Sequence, residues 1–139
     1  MRTTKLVHLA STGLILLSAA SLLSVSFMAF ANPQSVMDLV QVQLNSNDAF
    51  SSIRGVYGGV GLALGISLLY LMLKDTGKGL AFLCLLWGFY AASRIITIFV
   101  EGSLGDFGTQ WLIIESVLFG LAAGLLLARR KRAAATVSH

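Results

Sequence analysis

Along this chain, hydrophobic positions gather into four long runs broken by short polar intervals. The runs are Leu6 to Ala31, Ile53 to Leu73, Leu80 to Val100 and Trp111 to Ala128. A helix rises 1.5 Å per residue, so about 20 residues cross the roughly 30 Å hydrocarbon core of a bilayer, and each run is near or above that length. Strands of a membrane β-barrel would be about ten residues long with apolar and polar positions alternating. None of the four runs alternates, so the pattern predicts an all-α integral membrane four-helix bundle forming one transmembrane domain over residues 1–139.

Between the first two runs, Val36, Leu39, Val40 and Leu44 recur at helical spacing between Pro33 and the polar cluster Asn45-Ser46-Asn47-Asp48. Proline is favoured at the first position of a helix, so a short amphipathic helix over about 34–45, lying on the outer membrane surface, is one reading. A polar connector with scattered apolar residues is the other.

Composition agrees with the hydropathy pattern. Of 139 residues, 56% are hydrophobic and 12% charged, against roughly 25% charged in ordinary soluble domains. No stretch has the makings of a separate soluble domain. Charge then orients the bundle. Arg2 and Lys5 precede the first span, Lys74 and Lys78 separate the second from the third, and Arg129-Arg130-Lys131-Arg132 open a basic tail over 129–139. The connections on the other side carry Asp38, Asp48, Glu101 and Asp106 and no Lys or Arg. The positive-inside bias makes the basic side cytoplasmic, with both termini there. Ala29-Phe30-Ala31 has the form of a signal-peptidase site, yet the apolar stretch before it exceeds the 7 to 15 residues usual for a secretory signal, which favours a retained helix.

Three ionisable side chains interrupt the spans: Arg54, Arg94 and Glu115. A charge at the centre of a spanning helix costs about 2.5 to 3.5 kcal/mol on insertion scales, and such residues usually face a bundle interior, a cavity or one another. Counted from the outer end of its span, each lies roughly 6 to 9 Å deep, consistent with one polar layer. Helical spacing adds Tyr57 near Arg54, and Trp87, Tyr90 and Glu101 on the face of Arg94; Trp111 precedes Glu115 by four residues but also suits an interfacial anchor. Two guanidiniums against one carboxylate leave a positive charge that Glu101 or an anionic ligand could neutralise. Arginine forks match carboxylates and phosphates, so lipid headgroups, fatty acids and small organic anions are the ligand classes that fit. A closed Arg-Glu network that only fixes helix register is the competing reading, and a small enzyme or carrier using Glu115 for proton transfer is a third.

Glycines are the other pattern. Gly55 with Gly59, Gly61 with Gly65, and Gly120 with Gly124 are each four apart, and Gly58 lies among them. Such spacing removes side-chain bulk from one helix face and predicts close packing with a neighbouring helix, in the same chain, in a homo-oligomer or in a partner membrane protein. Phosphate cradling by these glycines is a poor fit, because no strand precedes them. Ser18, Ser21, Ser24 and Ser26 are expected to contact neighbouring helices. Cys84 has no second cysteine to pair with, and His8 and His139 have no ligand-spaced companions, so neither a disulfide nor a metal site is expected. No catalytic residue or cofactor is expected either. The basic tail fits contact with anionic inner-leaflet lipids at about 1 kcal/mol per residue, and no folded module supports binding to nucleic acid.

The element Ile53-Arg54-Gly55-Val56-Tyr57-Gly58-Gly59 follows a proline-started outer loop and precedes an arginine in span three and a glutamate in span four. In these features the chain resembles the bacterial membrane family called domain of unknown function 4345, from the first span through Leu127. The resemblance implies a four-helix membrane protein with a retained first span, in keeping with a bacterial inner-membrane location. It carries over no activity.

Overall fold

The computed structural model describes the backbone of residues 2–137 and the side chains of 4–135. The described chain is helical with no strand: α1 (Arg2–Ala31), α2 (Pro33–Asp38), α3 (Asn47–Ile53), a π-helical segment (Arg54–Val60), α4 (Gly61–Lys74), α5 (Thr76–Val100) and α6 (Asp106–Val137). Four continuous helical stretches, Thr4–Ala31, Asn47–Lys74, Thr76–Val100 and Asp106–Ala135, are long and apolar enough to cross a membrane. The protein is a multi-pass membrane protein. Most large apolar side chains on these helices point outward, with Leu73 78% and Phe99 84% exposed. Inside lipid such faces carry no penalty, and helix association rests on packing and hydrogen bonds rather than on water exclusion.

Polar residues at the ends of the runs set the helix boundaries. Asn32 caps α2 by accepting from the Gln34 N–H, and Ser46 caps α3 by accepting from the Ala49 N–H at 3.1 Å. Asp75 alone separates α4 from α5 and accepts from the Lys78 N–H at 3.1 Å, capping α5. Each side-chain oxygen satisfies an amide that the helix cannot.

The chain divides into two compact units. One runs to Ile15 and resumes at Leu71. Its buried residues include Leu14, Ile15, Leu80, Leu83, Trp87, Ala91 and Ala122. Gly79 admits Ile15, whose Cδ1 lies 2.8 Å from where a Cβ would stand, and Gly88 admits the ring of Phe119. The other unit is Leu16–Tyr70. There Ala29, Val36 and Met37 form a buried cluster, with Val25, Leu44 and Ile53 packed on it.

The connection between the first two spans is not helical throughout 34–45, the helix that is one of the two readings of its apolar spacing. Helix α2 ends at Asp38, Gln41 takes the left-handed conformation (φ 59°), and the Val42 N–H returns to the Met37 carbonyl. One side chain, Gln34, secures this reversal. Its Nε2 donates to Asp38 Oδ1 at 2.7 Å and to the Val42 carbonyl at 2.8 Å, while its Oε1 accepts from the Leu44 N–H at 2.9 Å. The folded-back chain buries Val36 and Met37 while Leu39 and Val40 stay exposed.

The glycines divide by direction. Gly58, Gly61 and Gly65 face α1: a Cβ would meet the Phe30 ring at 3.2 Å, Ser26 Cβ at 3.4 Å and Leu23 Cδ2 at 2.7 Å respectively. A Cβ at Gly55, Gly59, Gly120 or Gly124 would meet nothing within 4 Å among the described residues of its own unit. The row that packs runs 58, 61, 65 rather than in fours from 55, because helix rotation follows the π-helical turn as well as the sequence spacing. Of the serines, Ser26 donates across to the Gly58 carbonyl, whereas Ser21 turns back to the Leu17 carbonyl of its own helix.

Candidate functional site

Arg94 stands near the end of α5 and Glu115 in the first half of α6. Arg94 Nε donates to Glu115 Oε2 at 2.7 Å, and Nη2 donates to Oε1 at 2.8 Å. Glu115 is 2% exposed and Arg94 22% at the side chain. The geometry is the two-pronged fork that only Arg offers a carboxylate, and it occupies both carboxylate oxygens. The pair cancels its own charge where a lone carboxylate would be costly to bury. Buried Trp87 and half-exposed Tyr90 sit on the preceding turns of α5, ring centroids 5.8 Å apart. Phe107 and Trp111 form a second tilted pair at 6.2 Å on the first turns of α6. Glu101 is exposed and ends α5, its N–H bonded to the Thr97 carbonyl.

Arg54 has a different kind of partner. It belongs to the other compact unit, at the first position of the π-helical segment, and its Nε donates to the carbonyl of Phe30 at 3.2 Å. Phe30 lies in the last turn of α1, where carbonyls lack helical partners and the helix dipole favours a cation. Arg54 therefore acts as a side-chain cap on the C-terminal end of α1. Among the described residues no carboxylate forms an ion pair with it; the ion pairs are Arg94 with Glu115 and Lys78 with Asp75. Tyr57, one turn on, is exposed.

The segment that begins at Arg54 is wound as a π-helix through Val60, with three glycines in seven residues. Segments of this kind are frequent at functional sites, and they displace backbone groups from the regular ladder. Here the Gly58 carbonyl accepts from the Ser26 hydroxyl of α1 and from the Gly61 N–H. The Phe30 ring covers Gly58, which has no room for a side chain without movement of that ring. Ser26 makes the contact with a neighbouring helix that was expected of the first-span serines, and Phe30 is the site neighbour that sequence spacing did not single out. The one available signal for Phe30 is position: it falls in the last turn of the first span, at the level where the glycine-rich second span enters.

The structure thus joins Arg94 to Glu115 and joins Arg54 to α1. Chemically, the first is a closed neutral fork. The second is a guanidinium with one N–H committed to a neutral carbonyl. Among the described residues no group of three or more His, Cys, Asp or Glu is arranged to hold a metal ion.

A family model described as a domain of unknown function (DUF4345) matches residues 10–126. No curated protein and no solved structure matches the chain.

Proposed function

This chain belongs to the DUF4345 family of unknown-function domains, and from that premise we propose a non-enzymatic membrane protein that binds an anionic, lipid-like or small ligand at Arg54. The observation that carries the reading is the partner of Arg54: a single neutral carbonyl at Nε, with no carboxylate to cancel the charge. A guanidinium in that state keeps its Nη donors for a carboxylate or phosphate, which it would take up in the same fork that Arg94 makes with Glu115. Tyr57, three residues on and exposed, is the hydroxyl that this reading assigns to the same ligand. Arg94 and Glu115 serve in this reading as the register-fixing pair, with Tyr90 and Glu101 at its margins. Proton transfer by Glu115 is disfavoured, because both of its oxygens are already occupied by Arg94.

The location is part of the proposal. We place the protein in a bacterial inner membrane with both termini in the cytoplasm, on the distribution of Lys and Arg. Arg54 then lies toward the outer leaflet, where phospholipid headgroups are the abundant anions.

Native mass spectrometry of the gently extracted protein, with lipid and metabolite identification, tests the reading. Wild type is expected to carry a discrete acidic adduct that Arg54→Leu loses while remaining folded. An adduct that persists in Arg54→Leu, or a wild-type protein with no acidic adduct, overturns it.

A further inference from the structure

A second anion site stands in the unit that runs to Ile15 and resumes at Leu71, and it does not rest on the reading of Arg54. The start of α5, the first turns of α1 and the end of α6 enclose an open cavity of about 880 Å³. Its lining includes His8, Lys78, Arg129, Arg130 and Arg132, with Asp75 as the one carboxylate among the described residues. Among the described residues, Lys78, Arg129 and Arg130 thus share this lining with one carboxylate, which is already engaged. Asp75 Oδ1 accepts from the Lys78 N–H at 3.1 Å, and Oδ2 lies 3.7 Å from Lys78 Nζ.

Gly77 also lines the cavity. A Cβ there would stand 3.2 Å from Asp75 Oδ1 and 3.9 Å from Arg129 Nε, so the missing side chain leaves room beneath the guanidinium. Val7 and Leu126 add an apolar wall to the same cavity. Like charges brought to one cavity repel each other, and an anion seated among them removes that cost. Arginine side chains in pairs fit the oxygens of a phosphate group, and the volume lies within the 300 to 1,000 Å³ of ordinary ligand sites.

The geometry points to a phosphate-binding cavity at this end of the bundle, formed by Lys78 of α5 with Arg129 and Arg130 of α6. The phosphate can come from an anionic lipid, whose acyl chain would follow the apolar wall, or from a soluble phosphate compound. This is more specific than attraction of a basic tail to a charged surface. It separates Arg129 and Arg130, which line the cavity, from Lys131, which does not.

The test is native mass spectrometry of the full chain in neutral detergent, in wild type and in an Arg54→Leu background that removes the other proposed site. The protein is titrated with phosphatidylglycerol, with phosphatidylcholine of the same acyl chains, and with inorganic phosphate as competitor. Phosphatidylglycerol is expected to bind in preference to phosphatidylcholine in both backgrounds. Arg129→Gln, Arg130→Gln and Lys78→Gln should each weaken it about fivefold, from about 1 kcal/mol per basic residue near the surface. Lys131→Gln should leave it unchanged, and Arg129→Lys should keep most of it. Competition by inorganic phosphate would identify a site that reads the phosphate alone; binding of the lipid without such competition would add the acyl chain as a requirement. Equal weakening by Lys131→Gln and Arg129→Gln would overturn the proposal in favour of a diffuse charged surface. So would equal binding of the two lipids, or binding of neither lipid nor phosphate. Because Lys78 and the arginines lie on different helices, misfolding of one variant leaves the others to decide.

Discussion

Arg94 of α5 grips Glu115 of α6 through two parallel hydrogen bonds of 2.7 and 2.8 Å, and this fork joins the two helices by charge as well as by packing. Removing one partner of a buried pair strands the other charge and costs about 3 to 5 kcal/mol, whereas replacing both with apolar residues is often neutral. Arg94→Leu and Glu115→Leu are each expected to lower the stability of the detergent-solubilised protein by about 3 kcal/mol, the low end, since Arg94 is partly exposed. The double variant should recover most of the loss. Denaturant unfolding of all four proteins measures the coupling; additive losses would contradict it.

Glycine substitutions should separate by the direction each glycine faces. Gly65→Ala places a methyl 2.7 Å from Leu23 Cδ2 and 2.8 Å from its Cγ, so the whole Leu23 side chain must shift. Overpacking of this kind costs about 1 to 3 kcal/mol. Gly120→Ala and Gly124→Ala meet open space and gain the better helix propensity of alanine, worth up to about 1 kcal/mol. Thermal unfolding in detergent should therefore fall for the first variant and hold or rise for the other two.

Ser26 donates its hydroxyl to the Gly58 carbonyl, within the π-helical segment. Ser26→Ala removes the inter-helix donor from that carbonyl and keeps the Gly61 N–H. The expected loss is about 1 kcal/mol, typical of one net hydrogen bond. Faster amide hydrogen exchange confined to residues 54–61 would be the local signature, and unchanged exchange there would argue against a role for this bond in holding the segment.

Asp75 offers a pH test outside the spans. The Lys78 N–H, helped by the charge of Lys78, holds its carboxyl below the ordinary carboxylate value. A depressed folded value means that the stabilisation is present above the unfolded value, about 4, and is lost as pH falls through the lower folded one. Asp75→Asn keeps a capping oxygen without the titration. Wild type should lose thermal stability relative to Asp75→Asn only as pH drops below about 4; parallel curves across pH 3 to 7 would show that the cap does not depend on charge.

Topology can be read with a membrane-impermeant maleimide in a Cys84→Ser background. A cysteine at Ser103 is expected to label from outside intact cells, and one at Ala134 only after permeabilisation. The reverse pattern would invert the orientation drawn from the basic residues and place Arg54 toward the inner leaflet.

The amino-acid sequence by itself determined the helical class and the four spans, because apolar run length against bilayer thickness is a local property. Asn32, Ser46 and Asp75 cap their helices through amides two or three residues away, a local relationship that the structure brought out. That Arg54, Arg94 and Glu115 are exceptional was equally plain from their depth in the spans. Which of them pair was not: either arginine suits a carboxylate by charge, and only the approach of α5 to α6 gave Glu115 to Arg94. Arg54 took the Phe30 carbonyl because the end of α1 lies beside it, and a backbone acceptor leaves no mark in side-chain spacing. The glycine rows show the same division, since four-residue spacing identifies a smooth face but not its rotation. The π-helical turn and the packing on α1 turned Gly58, Gly61 and Gly65 inward and left Gly55 and Gly59 facing open space. The basic cavity joins residues about fifty to one hundred and twenty positions apart on three helices, a juxtaposition that only tertiary folding produces.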